Sequence, residues 1–405
     1  MGSFVRSLAI TAIAGTAATL TPARAAAQLV VDAELREACE VIRLGDAIDV
    51  PEWLAFSRTP SNRLDAVGRL YLRGEDSQVA VLEPDGSLVR YVGGEGEGPG
   101  EFTDVGRFGF VGDTLWLQDL WELDISYFDS TGAHIRTETD HGLPSTMPIL
   151  WRTSAPLADG HGFYIPPTGQ VDLESRTAPD FERVKLPMMV GVRSEESRDT
   201  LAFSYNHTGM LLGDGVFAHR PFVTPPLYRI HPRGEGVVTV DWEPNQPGEV
   251  LLRHYGLDGR IERETAIEAR LRSVSREARN AIIEEGMEAA ERGVAMARQL
   301  GGDAPTSLRT AVTEGLLLYD YFEPVSSFFL THDERVWLSD AAVPEDDEAL
   351  WIVLGPEGEP EFRVQAPTGI AFRTALGDRV WATGRTELDV PFIVQYELVA
   401  PGECG

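Results

Sequence analysis

Cysteine is nearly absent, basic residues are few and long apolar runs are missing. Each shortage excludes something. The 405 residues include 2 Cys and 8 His, with 35 Lys and Arg against 64 Asp and Glu. Two cysteines supply neither a disulfide scaffold nor a Cys-rich zinc site. A formal net charge of −29 argues against nucleic acid as a partner, because phosphate contacts need clustered Lys and Arg. After residue 27 no run reaches the roughly 18 apolar residues of a membrane-spanning helix. H-E-x-x-H and G-x-S-x-G are both missing, so neither a helical zinc pair nor a nucleophile elbow is encoded.

What is present supports a folded, exported chain. Apolar residues make up 43% and there are 8 Trp, enough for a large core. Residues 1–27 contain no acid; Arg6 precedes the apolar stretch Leu8 to Leu20, and small residues follow at Ala23, Ala25 and Ala27. This pattern predicts a signal peptide over 1–27, cleaved near Ala25 to Ala27, and a periplasmic or secreted protein. Losing Arg6 and Arg24 takes the charge from −29 to −31. So acidic a surface favours a hydrated monomer.

An internal repeat sets the fold class. Leu70-Tyr71-Leu72 and Leu115-Trp116-Leu117 each lead, through a polar loop, to a second apolar run (Val79 to Leu82, Ile125 to Phe128). A turn with Gly86 or Gly132 follows, then a further strand. Short apolar runs between such turns read as strands. The first of the two runs recurs around Tyr71, Trp116, Tyr164, Phe217, Trp337 and Trp381, in steps of about 44 to 53 residues with one long step of 120. Six copies predict an all-β, six-bladed β-propeller over 38–404. A fourth strand is missing after the last copy, so Cys39 to Leu44 is expected to close blade six. That strand brings Cys39 beside the chain's end at Cys404, and export makes a disulfide between them an expectation; two free thiols are the alternative.

The segment Val92 to Phe102 (V-G-G-E-G-E-G-P-G-E-F) resembles the blade-ending segment of NHL-repeat propellers. Arg385-Thr386-Glu387-Leu388-Asp389-Val390, followed by Tyr396, resembles the last blade of a group of exported bacterial six-bladed propellers without assigned activity. The resemblance implies the fold, a helical insertion before a Trp-bearing fifth blade, and little about activity. The long step indeed holds a helical pattern. Ser275 is a candidate cap, and Ala278, Ile282, Gly286, Ala290, Val294 and Ala297 form one apolar stripe. An insertion over 262–303, with an earlier short helix from Arg263 to Leu271, is expected as a rim decoration or as a lid.

Propellers bind ligands where the loops after the second strands converge. Those positions are Arg73, Asp119, His219, Arg220, Asp340 and Arg385, with Trp121 inside the second loop. The mixed charges and the indole suit a peptide, a glycan or an envelope protein as partner. A calcium-dependent hydrolase of the gluconolactonase or paraoxonase type is the alternative, with calcium as its cofactor. Only Asp119 and Asp340 offer carboxylates there, and none of Asn62, Asn206, Asn245 and Asn280 ends a second strand. The Gly93 to Gly100 loop carries Glu95 and Glu97 and no Lys-Ser/Thr, so it reads as a connector rather than a phosphate cradle. Glu345 to Glu348 lack the alternation of a calcium loop and read as solvated. No catalytic residue is singled out and no metal site is expected.

Overall fold

The computed structural model describes residues 29–45, 56, 59–73, 77–139, 155–164, 184–191, 198–206, 209–211, 217–219, 227–242, 248–270, 272–281, 321–340, 349–367 and 369–404, with scattered positions in 283–291. The expected leader, Arg220 and the acidic run 345–348 lie outside them.

The described residues are almost wholly β. It opens with β1 (Glu34–Leu44). The first four-stranded sheet follows: β2 (Ser61–Leu64), β3 (Leu70–Arg73), β4 (Gln78–Leu82) and β5 (Leu88–Gly93). The second holds β6 (Val105–Val111), β7 (Thr114–Asp119), β8 (Ile125–Phe128) and β9 (His134–Glu138). The third holds β10 (Ala155–Pro156), β11 (Gly162–Tyr164), β12 (Val184–Gly191) and β13 (Arg198–Asn206). A separate hairpin of β14 (Gly209–Leu211) and β15 (Phe217–His219) precedes the fourth sheet. That sheet is β16 (Leu227–Ile230), β17 (Gly236–Trp242), β18 (Gly248–Gly256) and β19 (Ile261–Ala269). The rest is an eight-stranded sheet of two halves. One half is β20 (Val325–Leu330), β21 (Val336–Asp340), β22 (Ala349–Leu354) and β23 (Pro360–Ala366). The other is β24 (Ala371–Leu376), β25 (Arg379–Arg385), β26 (Pro391–Val399) and β1.

Local chemistry explains the repeated hairpins. Gly86 and Gly132 hold φ of +83° and +84°, a conformation that a side chain disfavours. Three residues before Gly132, Asp129 accepts from the amides of Thr131 (2.8 Å) and Ala133 (3.0 Å), fixing the turn before β9. The glycine-rich connector is fixed in a different way. Glu101 accepts from the Gly98 amide at 2.9 Å, Phe102 donates its amide to Gly94 at 2.7 Å, and the Phe102 ring is buried between the first two sheets.

Apolar clusters join each four-stranded unit to the next. Val79, Val81 and Val92 pack with Phe108 and Leu117. Trp116 and Tyr127 meet Ala155. Leu157 and Phe163 meet Val237 and Tyr255. Val250 and Leu252 meet Phe328 and Ile352. Trp337, Trp351 and Phe362 meet Phe372 and Tyr396. Trp381 and Ile393 return to Leu70, Leu72 and Leu82. The series ends where it began, so the arrangement is propeller-like and closed.

Closure depends on the first strand. β1 runs antiparallel to β26 from Glu37 to Leu44, and its start, Glu34 to Arg36, pairs parallel with β23. Just before it, Leu29 bridges Ala269 at the end of β19. Cys39 and Cys404 form a disulfide with Cα atoms 5.5 Å apart and a sequence separation of 365. Chain-entropy scaling gives such a loop at most about 5–6 kcal/mol.

Two expectations are corrected. The run at Phe217 is not a second strand of the fourth unit; it pairs with β14 in the separate hairpin, and Leu227–Ile230 is that unit's first strand. Apolar content alone does not tell which of two neighbouring short runs pairs with the next. Residues 263–269 are not helical but belong to β19, where Thr265 and Ile267 face Leu252 and Val250 of β18. Residues 262–269 therefore belong to a sheet and not to an insertion. Residues 276–281 are helical, Ser275 Oγ accepts from the Ala278 amide at 3.0 Å, and Val274 and Ala278 pack on Phe322.

Candidate functional site at the strand ends and inner edges

The ends of the second strands are built mainly for structure. Arg73 closes β3, donating to the Gly106 carbonyl at 2.7 Å and lying 3.7 Å from Asp104, so it ties the first unit to the second. Asp119 closes β7 and is 3% exposed. Its carboxylate accepts three backbone amides, from Trp121 (2.7 Å), Glu122 (2.9 Å) and Thr103 (2.8 Å). These bonds hold the 119–124 loop, so the carboxylate organises the backbone rather than facing a ligand. The loop it shapes presents Leu120 and Trp121, 43% and 72% exposed.

Arg385 also serves its own turn. It donates to the Asp389 carbonyl and pairs with the Asp389 carboxylate, both at 2.9 Å. Asp340 closes β21 and is buried; its carbonyl accepts from Ser326 Oγ (3.4 Å) and Ser339 Oγ (3.2 Å). His219 ends β15, outside any four-stranded unit, because of the register correction above. The residue that sequence reasoning missed near this position is Asp241, buried near the end of β17 and 3.4 Å from Arg253. A correct fourth-unit register would have found it. The structure thus brings Arg73, Asp104 and the Asp119 loop together, and leaves Arg385 to its own turn. Among the described residues no group of three or more His, Cys, Asp or Glu is placed to hold a metal ion.

A second cluster lies on the first strands. Arg63 on β2, Arg107 on β6, Arg229 on β16 and Arg373 on β24 all have exposed side chains, each beside a buried neighbour (Leu64, Phe108, Leu227, Phe372). These strands stand side by side: β2 packs on β24, β24 on β20 and β20 on β16, while Arg63 reaches within 5.9 Å of the Phe108 ring on β6. The Arg229 guanidinium lies 5.2 Å from the Phe328 ring on β20.

Electrostatic influence links several of these guanidiniums. Burial within the protein envelope, then the charges of Arg229 and Arg107, pull the Arg63 pKa down to about 10. Burial lowers Arg229 too, and Arg373 adds to it. Burial alone lowers Arg373. Two strands separate β2 from β16, yet the charge of Arg229 acts on Arg63, and both side chains are exposed. Their bonds are mostly local. Arg63 donates to the Asn62 carbonyl and Arg229 to the Tyr228 carbonyl, both at 2.7 Å, and Arg373 Nε donates to Thr383 Oγ1 at 2.9 Å. Among the described residues none of the four has a carboxylate within ion-pair distance.

No protein-family profile matches the chain, and no curated protein matches it. Solved structures do. A Bacteroides fragilis protein named as exported is 10% identical, covers 91% of this chain and all of its own (100%), and gives a TM-score of 0.40. A DUF4221 member from Bacteroides vulgatus is 10% identical over 90% of this chain and 99% of its own, with a TM-score of 0.39. The calcium-binding protein regucalcin from Agrobacterium tumefaciens is 10% identical over 90% and 96%, with a TM-score of 0.37. Nothing about activity carries over at this level of likeness.

Proposed function

We propose that this chain is an exported, non-catalytic six-bladed propeller, with a helical segment inserted between its fourth and fifth blades. It holds a ligand at the mouth of its central channel. The six four-stranded units are the blades, and the first strands line the channel. The observation that carries the reading is the contrast at the channel. The polar groups of Asp119 and Arg385 are committed to their own loops, whereas the inner strands present four accessible guanidiniums. Such a surface recognises and orients; it needs no nucleophile or base. Peptide, glycan or envelope-protein ligands fit a mouth that also carries the exposed Trp121. The Cys39–Cys404 bond agrees with an oxidising compartment, periplasmic or extracellular.

Capture from a native envelope extract tests this. The protein is expected to retain a ligand, and Trp121→Ala to retain at least five-fold less. Equal retention by wild type and variant removes the mouth from the site. Under this reading micromolar calcium leaves the melting temperature unchanged; a rise of several degrees favours a calcium-dependent hydrolase instead.

A further inference from the structure

We infer that the central channel is a binding site for a compact, multiply charged oxyanion, held by Arg63, Arg107, Arg229 and Arg373. The inference rests on the binding reading above and supplies the ligand's chemistry. Four first strands, far apart in sequence, each contribute one arginine to the same enclosed space. Acidic residues outnumber basic ones 64 to 35, so neutralising carboxylates were abundant, yet among the described residues none is placed beside these guanidiniums.

Uncompensated cations that crowd one another destabilise the fold. A bound anion with two or more charged oxygens removes that cost, since a guanidinium offers paired donors that match carboxylate and phosphate geometry. Because the arginines come from four separate strands, a ligand with several charged oxygens suits them better than a single carboxylate. The lowered pKa values of Arg63, Arg229 and Arg373 agree with this, because surrounding protein and neighbouring cations disfavour their charged forms.

The test is a thermal-shift titration of the full mature chain at constant ionic strength. Citrate and inorganic pyrophosphate serve as probes, with acetate and sodium chloride as controls. The wild type is expected to gain about 3 °C or more with citrate or pyrophosphate and nothing with acetate. Citrate alone assigns a polycarboxylate, and pyrophosphate alone a phosphate ligand. Arg63→Gln/Arg229→Gln is expected to lose at least ten-fold in apparent affinity, and Arg63→Lys/Arg229→Lys to keep part of it. Should the glutamine pair fail to fold, Arg373→Gln replaces it. No gain above the salt control, or an equal gain in the glutamine variant, overturns the inference. Capture of an envelope ligand by wild type together with either result overturns the anion assignment alone. Failure of both experiments overturns the binding reading as well.

Discussion

Phe372 and Arg373 are neighbours on β24, and the fold treats them oppositely. Phe372 is 1% exposed and packs against Trp337, Trp351 and Tyr396 in the seam between the fifth and sixth units. Arg373 lies at an irregularity in the β24–β25 pairing and has an exposed side chain. The seam is apolar and dense, the inner edge charged and accessible. Alternation along a single strand therefore separates what stabilises the ring from what is available for recognition. A charge cluster that opposes folding, kept beside a seam that favours it, is the pattern expected where a local rule is broken for function.

Four changes break or sharpen this contrast. The largest effect belongs to the seam. Phe372→Ala is expected to lose about 3–5 kcal/mol in denaturant unfolding, whereas Arg373→Ala changes stability by less than about 1 kcal/mol. Similar losses for the two neighbours would end the comparison. Next comes Asp119→Ala, which strands three backbone amides and is expected to cost about 1–3 kcal/mol without altering anion response. A changed anion response would place Asp119 in the site. Smaller again, and of opposite sign, is Arg229→Met, expected to raise stability by up to about 1 kcal/mol while weakening the citrate or pyrophosphate shift. A lower melting temperature would show that the charge is already neutralised.

The smallest effect at neutral pH concerns His254. Burial, then the charge of Arg263 and that of His231, pulls its pKa to about 4, and burial lowers His231 and His332 as well. The unfolded chain takes up these protons near pH 6.5, before the folded one does. Stability is thus complete above about 6.5 and falls as pH drops towards 4. His254→Gln is expected to flatten melting temperature across that window. An unchanged slope would leave only His231 and His332 responsible.

Much of the fold is legible in the sequence where turn glycines and aromatic strands coincide, as at Tyr71, Trp116, Trp337 and Trp381. It is not legible around Phe217, where two short apolar runs compete and only pairing decides between them. The run Glu262-Arg263-Glu264-Thr265 has helix-favouring composition, and β18 alone makes it a strand. The candidate site divides in the same way. Loop positions follow from the repeat, but the local bonds that commit Asp119 and Arg385 depend on folded geometry. The inner arginines leave a faint trace, one Arg within each of the runs Asn62-Arg63-Leu64, Arg107-Phe108, Tyr228-Arg229-Ile230 and Phe372-Arg373-Thr374, one strand ahead of the repeat. Reading it requires knowing that those runs share an enclosed space.

The N-terminal segment also carries a consequence in time. Residues 29–44 touch the outer edges of the fourth, fifth and sixth units, all of which lie later in the chain. During synthesis this segment has no partner until β19, β23 and β26 have emerged, and the Cys39 thiol waits for Cys404. The early units can form from local hairpins, but the last step is a contact between opposite ends of the chain, the slowest kind to find. Until then the outer edges of β23 and β26 are open templates for another copy's strand. Pairing of β1 and protection of these edges from misassembly therefore arrive together, at one late event.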